Sequence, residues 1–399
     1  MTPKRVLIIL TTINYLNYID RLILAAVLGS IKTDLRLSDL EAGLLATMFM
    51  IPYMLTSPIF GYLGDTQNRS RLIALGTGLW SVATFSTGLA KNFGSLVATR
   101  LGLGIGESAF TTIAMPYLSE FYPPEKRGKI FAIFNSAAPV GAALGYLIGG
   151  LLGSLVGWRN SFFIVGLPGM IMAFLIWPAK DPRKTGQDKF DFRGALRKLK
   201  SSRAYLFAVF GYSANTFVVG GVAHWMPTYI QRTFQMTQLS ANTLFGGIAV
   251  GAGLLGTLAG GYLADYAVRK HPGGNQLLPA WGMIFCTPCF WFCLNADRME
   301  IFVVLLSLTL FFVFLAASPI NIAFIESVPG NVRNTAVAMA ILACHLLGDA
   351  ISSPIMGYIS DQTGSLRNGL LIGTPFLFLA GILWILGGKA RMKEVSSEI

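Results

Sequence analysis

Gly61-Tyr-Leu-Gly-Asp65, GYLGD, returns as Gly261-Tyr-Leu-Ala-Asp265, GYLAD. Each copy closes a long apolar stretch, and each is followed by basic residues: Arg69 and Arg71 in the first, Arg269-Lys270 in the second. Further along, Glu120, Pro124 and Arg127 are echoed by Glu326, Pro329 and Arg333. One such match is a turn motif recurring by chance. Several in the same order mean that the chain is built twice. Parallel repeats of six helices are a transporter architecture, with a site near the bilayer midplane.

The composition agrees. Of 399 residues, 53% are hydrophobic and 13% charged, where globular chains carry about 25% charged residues. Apolar stretches occupy 6–31, 39–64, 70–90, 94–121, 128–156, 160–178, 204–231, 238–267, 277–296, 300–326, 334–361 and 368–388. Each is about 20 residues or more, enough for a core of about 30 Å, and each must be helical to satisfy its own backbone. The expectation is an all-α integral membrane protein of 12 transmembrane helices in two six-helix halves. Residues 1–179 and 204–399 form the halves, joined by a basic cytoplasmic linker at 180–203. Lys4-Arg5 before an apolar run imitates a cleaved leader, but Asp20-Arg21 interrupts that run, so it is read as a retained span.

Charge distribution sets the orientation. The termini and the even-numbered connections hold 22 of the Lys and Arg residues; the opposite connections hold seven, Lys32, Arg36, Lys91, Arg159, Arg232, Arg298 and Arg367. The positive-inside rule then places both termini in the cytoplasm of a cell (inner or plasma) membrane protein. The net charge of +12 is thus accounted for by topology and anionic lipid, without nucleic acid. In the linker, Phe190, Phe192, Leu196 and Leu199 alternate with basic residues, which suits an interfacial helix or a solvated segment. Glycines at four-residue steps, Gly141, Gly145 and Gly149, then Gly247 and Gly251, then Gly256 and Gly260, permit close helix contacts.

Several motifs are set aside. Cys286-Thr-Pro-Cys289 has a CxxC form but lies in an apolar helix with Cys293 on the same face, which favours packing over metal or redox use. Gly102-Leu-Gly-Ile-Gly-Glu107 lacks the strand a dinucleotide loop requires. No HExxH, GxSxG or nucleotide-binding loop occurs, so an enzyme and an ATP-driven pump are disfavoured and no cofactor is expected.

The duplicated loop resembles the signature loop of the major facilitator superfamily, and Arg100-Leu-Gly-Leu-Gly-Ile-Gly-Glu107 resembles its RxxxGxG element. NYIDR at 17–21, GIGESAF at 104–110, PVGAALGY at 139–146 and HLLGDAISSPIMGYISD at 345–361 resemble the spinster family. The resemblance implies a major facilitator fold and the carriage of sphingosine-1-phosphate or lysophospholipids. Where the superfamily loop usually has a basic residue after its Asp, this chain has Thr66 and Tyr266.

The charges inside the spans are the candidate site. A charge at the bilayer centre costs at least about 2.5–3.5 kcal/mol on insertion scales and marks function. Asp20, Glu107 and Asp349 fall at similar depths in spans 1, 4 and 11. Asp20 and Arg21 stand about 100° apart on one helix and cannot pair well with each other, so Arg21 is expected to neutralise Glu107 and Asp20 to accept from Asn or Tyr groups nearby. With the resemblance, Asp20, Glu107, His345 and Asp349 become proton-coupling candidates. His345 and Asp349 are one turn apart, as a relay or a fixed pair would be. Arg21 is the candidate for an anionic headgroup, since a guanidinium fork matches phosphate or carboxylate. Asn14, Asn17, Tyr18, Arg100 and Thr111 join it as substrate-binding candidates. Gly61, Asp65, Arg69, Glu120 and Arg127, with Gly261, Asp265, Glu326 and Arg333, form the gate loops. His224, beside Trp225, is read as a membrane-interface residue. The functional expectation is a monomeric, proton-coupled secondary carrier working by alternating access, with an anionic lipid or amphiphile as substrate. The alternative is a proton-coupled carrier of a small organic anion or drug.

Overall fold

The computed structural model describes residues 1–122, 130, 133–134, 136–182, 192–329 and 332–398. Arg127 lies outside the described residues, as do the side chains of Asp65, Asp265 and Arg333. Everything described is helix, turn or coil, with no strand among the described residues. The elements are α1 Pro3–Leu35, α2 Asp39–Thr66, α3 Arg69–Thr87, α4 Phe93–Ser119, α5 Ala137–Leu155, α6 Gly157–Ile176, α7 Phe192–Ser201, α8 Arg203–Phe234, α9 Gln238–Lys270, α10 Gly274–Leu294, α11 Met299–Leu315, α12 Ala317–Glu326, α13 Arg333–Cys344, α14 Ala350–Thr363, α15 Leu366–Leu371 and α16 Gly373–Glu398. A π-helical turn, His345–Asp349, joins α13 to α14.

Nine described helices are long and apolar enough to cross a membrane, and Val140–Leu155 is a shorter apolar helix. The count of twelve is not reached by that measure, and α3 and α4 show why. They carry Thr77, Ser81, Thr84, Thr87, Arg100 and Glu107, all buried. Their polar residues lie inside the bundle, so length satisfies a bilayer while mean hydropathy falls.

Local signals set the helix ends. Ser38 and Glu41 form a reciprocal capping box at the start of α2, and Asn92 with Ser95 forms another at the start of α4, each satisfying donors that an open first turn leaves unpaired. Gly157 takes φ +80 between α5 and α6, a conformation that glycine adopts without a Cβ penalty.

The chain divides into two compact units, Met1–Gly186 with His224–Gly246, and Gln187–Ala223 with Gly247–Ile399. In the first, α1 packs on α5, α2 on α4, and α3 on α4 and α6. A Cβ on Gly141, Gly145 or Gly149 would come within 2.8, 2.9 and 2.6 Å of Tyr18, Leu22 and Ala26 on α1, so that glycine row is a helix seam. In the second unit, Cβ atoms on Gly256 and Gly260 would strike the backbone of Phe311 and Leu315, which seams α9 to α11. At Gly247 and Gly251 a Cβ would meet nothing within 4 Å among the described residues, so no described helix packs on those two, contrary to the expected contact. His224 also differs from expectation. It is buried and bonded to the Ala42 carbonyl at 3.1 Å, with its ring against Trp225, because a polar imidazole inside a bundle needs a local partner.

Candidate functional site

The site grows from three faces of α1. Asn17, Asp20 and Arg21 lie half-way along it, with Asn17 and Asp20 only 1% exposed. Because successive helical residues are turned by about 100°, Asp20 and Arg21 address different neighbours. Arg21 reaches α4, its Nε donating to Glu107 Oε2 at 2.5 Å. Glu107 is fully buried, while the Arg21 side chain keeps 20% exposure.

Aromatic rings frame the guanidinium. Its carbon lies 4.9 Å from the Tyr53 ring, 5.0 Å from Phe49 and 5.8 Å from Tyr18, all within the range of cation–π attraction. Arg21 Nη2 and Glu107 Oε1 have no hydrogen-bond partner among the described residues. The result is a cation that is half tied to a carboxylate, on an aromatic platform, with donor capacity to spare. Thr111 donates to the Glu107 carbonyl at 3.0 Å, so its hydroxyl supports the α4 backbone beside the pair. Asn17 approaches Glu107 from α1, and Asn14 donates to the Phe134 carbonyl at 2.9 Å.

Asp20 looks the other way, into the first unit. Its neighbours are Trp80 and Thr84 on α3, with Glu107 and Arg100 adding opposed charges. The expected Asn or Tyr partners are replaced by α3, because Asp20 faces that helix. Arg100, 2% exposed, donates from Nη2 to Thr87 at 3.1 Å and lies over the Phe162 ring. Among the described residues, buried side-chain atoms of Trp80, Thr84 and Arg100 beside Asp20, and of Asn17, Thr77 and Ser81, make no hydrogen bond of ordinary length. An unmet buried polar group costs about 1–3 kcal/mol. The hydroxyl ladder of α3 is the part that the sequence reading missed. The spacing of Thr77, Ser81 and Thr84 on one helix face was the signal available.

The second unit holds its own acid. His345 Nδ1 lies 3.0 Å from Asp349 Oδ2 across the π-helical turn, where π geometry often accompanies function. Gly220 on α8 faces this turn so closely that a Cβ there would fall 2.3 Å from Asp349 Cβ.

The loop residues are only partly assembled. Arg69 is a hub: Nε donates to the Gly64 carbonyl at 3.1 Å, its backbone N–H to Asp181 at 3.0 Å, and Nη1 lies 3.5 Å from Glu120. In the second copy, Glu326 accepts from Asn275 at 2.8 Å. The start of α3 thus holds the acid that ends α4, and the start of α10 the acid that ends α12. Gly61 and Gly261 lie against Thr112 and Ser318 at ordinary contact distances. Asp181 was not expected from sequence.

Comparison with known proteins agrees with this architecture. The profile of the Major Facilitator Superfamily matches residues 10–344. The "Probable sphingolipid transporter spinster homolog 2" of Arabidopsis thaliana is 31% identical over 97% of this chain and 87% of its own. The "Sphingosine-1-phosphate transporter SPNS2" of Xenopus tropicalis is 31% identical over 95% of this chain and 79% of its own. A crystal structure of a bacterial homologue of the human lysosomal transporter spinster, described as inward-facing and unoccupied, superposes with TM-score 0.88 at 22% identity, covering 98% of each chain. The chain is therefore a multi-pass membrane transporter with the major facilitator fold, not an enzyme, and it belongs to the spinster family of the Major Facilitator Superfamily.

Proposed function

We propose that this chain is a proton-coupled secondary carrier of an anionic amphiphile, such as sphingosine-1-phosphate or a lysophospholipid. Its two halves, 1–179 and 204–399, would work by alternating access, with both termini in the cytoplasm. The observation that carries the reading is Arg21: a guanidinium on three aromatic rings, on a side chain 20% exposed, bonded through one nitrogen to a buried carboxylate. A phosphate headgroup would take the remaining donors, since Arg–phosphate contacts are bidentate and charge-assisted. The rings offer apolar surface for the start of a chain. The names of the two transporter relatives favour a lipid over a small organic anion.

Glu107 and Asp20 supply the coupling. A buried carboxylate is held ionised only by nearby cations and donors. When a headgroup draws Arg21 away from Glu107, that balance tips towards protonation; when the headgroup leaves, the proton follows. Arg100 is the standing counter-charge for Asp20. His345 and Asp349 form a second proton-accepting pair in the C-terminal half, and the Arg69–Glu120 and Asn275–Glu326 contacts belong to the gate loops.

The test is binding of lysophosphatidate and of a monoacylglycerol of equal chain length to the purified protein and its Arg21→Lys and Arg21→Ala variants. Lys keeps the charge but loses the fork, so lysophosphatidate affinity should fall about tenfold for Lys, about 1.4 kcal/mol, and further for Ala, with the neutral lipid little changed. Equal losses for both lipids would leave Arg21 as the neutraliser of Glu107 alone and sink the headgroup role.

A further inference from the structure

A second basic cavity lies at the end of α1 remote from the N-terminus, wholly within the first unit. It has a volume of about 920 Å³ and is lined by the last turns of α1, the α1–α2 turn and the last turns of α8. Three cations line it, Lys32, Arg36 and Arg232, against one lining carboxylate, Asp34. Asp34 is already engaged by Arg159 and by the Trp158 indole. Asp39, just beneath, takes both forks of Arg232 at 3.0 Å and also Lys32. Two cations share that single buried carboxylate, and Arg36 adds a third positive charge with no ion pair among the described residues. The cavity is left with an excess of positive charge that its own acids do not match.

One feature besides the charge points to a ligand. Thr228 is 3% exposed, and its hydroxyl, like Gln231 Nε2, has no hydrogen-bond partner among the described residues. Both side chains line this cavity and both can donate. Arg36 itself stands at φ 54 just past the end of α1, its N–H bonded to the Lys32 carbonyl, a left-handed cap of the kind that commonly ends a helix.

We infer that this cavity binds a phosphate group, held by Arg36 and Lys32 with Thr228 and Gln231 as neutral donors, at a site separate from Arg21. A phosphate has enough acceptor lone pairs for all four donors, and cations that share a carboxylate have charge to spare. The group comes either from a lipid headgroup or from free phosphate in solution.

The experiment uses the full chain purified in neutral detergent and titrated calorimetrically with inorganic phosphate. Lysophosphatidate and a monoacylglycerol of equal chain length serve as competitors. Arg36→Asn, which suits the left-handed backbone, should weaken phosphate binding at least tenfold. Thr228→Val should weaken it several-fold, with unfolding temperatures unchanged. In Arg21→Ala the phosphate binding that depends on Arg36 should persist, whatever phosphate Arg21 itself holds. Competition by lysophosphatidate but not by the monoacylglycerol assigns the site to headgroups; competition by neither assigns it to the free anion. Displacement by the monoacylglycerol as effective as that by lysophosphatidate makes the cavity an apolar lipid pocket and overturns the inference. So does undetectable phosphate binding, or binding lost in Arg21→Ala yet intact in both Arg36→Asn and Thr228→Val. These last results would leave the Arg21 headgroup reading standing, so the two fail separately.

Discussion

Asp20 and Arg21 illustrate how one step along a helix separates two environments. Arg21 faces α4 and aromatic rings on a side chain that stays partly exposed; Asp20 faces α3 and the field of buried Arg100. Neutralising one of two buried opposite charges that feel each other's field leaves the survivor less compensated. Asp20→Asn and Arg100→Gln should therefore each lower the unfolding midpoint, while the double variant recovers part of the loss. Residues sharing a network show coupling of about 0.5–3 kcal/mol. A double-mutant cycle on reversible unfolding measures it, and strict additivity would mean that Asp20 and Arg100 do not support one another. That Glu107 would be paired with Arg21 was legible because a carboxylate mid-span is expensive. The hydroxyls of α3 were not, since Ser and Thr cost little in a span and look like ordinary helix packing until a carboxylate is seen beside them.

At the scale of elements, the row of Gly141, Gly145 and Gly149 announced the seam between α1 and α5, because three aligned missing side chains leave a groove that only a backbone fills. Gly247 and Gly251 have the same spacing and no such close contact among the described residues. Spacing reports which approach is possible, and the partner decides which is used. The π-helical turn at His345–Asp349 was hidden for a related reason. An extra residue in a turn changes hydrogen bonds, not composition, so His345 and Asp349 read as an ordinary i, i+4 pair. Gly220 explains the turn's position: a Cβ there would fall 2.7 Å from the Asp349 Cα, leaving no room unless the turn moves. Gly220→Ala should displace the turn, break the His345–Asp349 contact and destabilise the protein by about 1–3 kcal/mol, as overpacking does. Imidazole nitrogen shifts of labelled His345, with thermal unfolding, check both effects. An unchanged spectrum would show that the turn holds without that close contact.

At the scale of the molecule, the duplication seen in GYLGD and GYLAD reappears as paired contacts. The acid that ends α4 is held at the start of α3, and the acid that ends α12 at the start of α10; α4 approaches α2 through Gly104, and α9 approaches α11 through Gly256 and Gly260. The repeats were legible because they leave marks at turns, where few residue types fit. The twelve spans were less so, since α3 and α4 turn polar faces inward and lose hydropathy where they bury those side chains. The direct test of the account is uptake of a labelled lysophospholipid into liposomes holding the purified protein, with and without an imposed pH gradient, compared with a small organic acid of the same charge. Wild type should move the lysophospholipid faster with the gradient, and Glu107→Gln should keep binding but lose the gradient's effect. Lysophospholipid uptake indifferent to the gradient, or uptake of the organic acid alone, would contradict it.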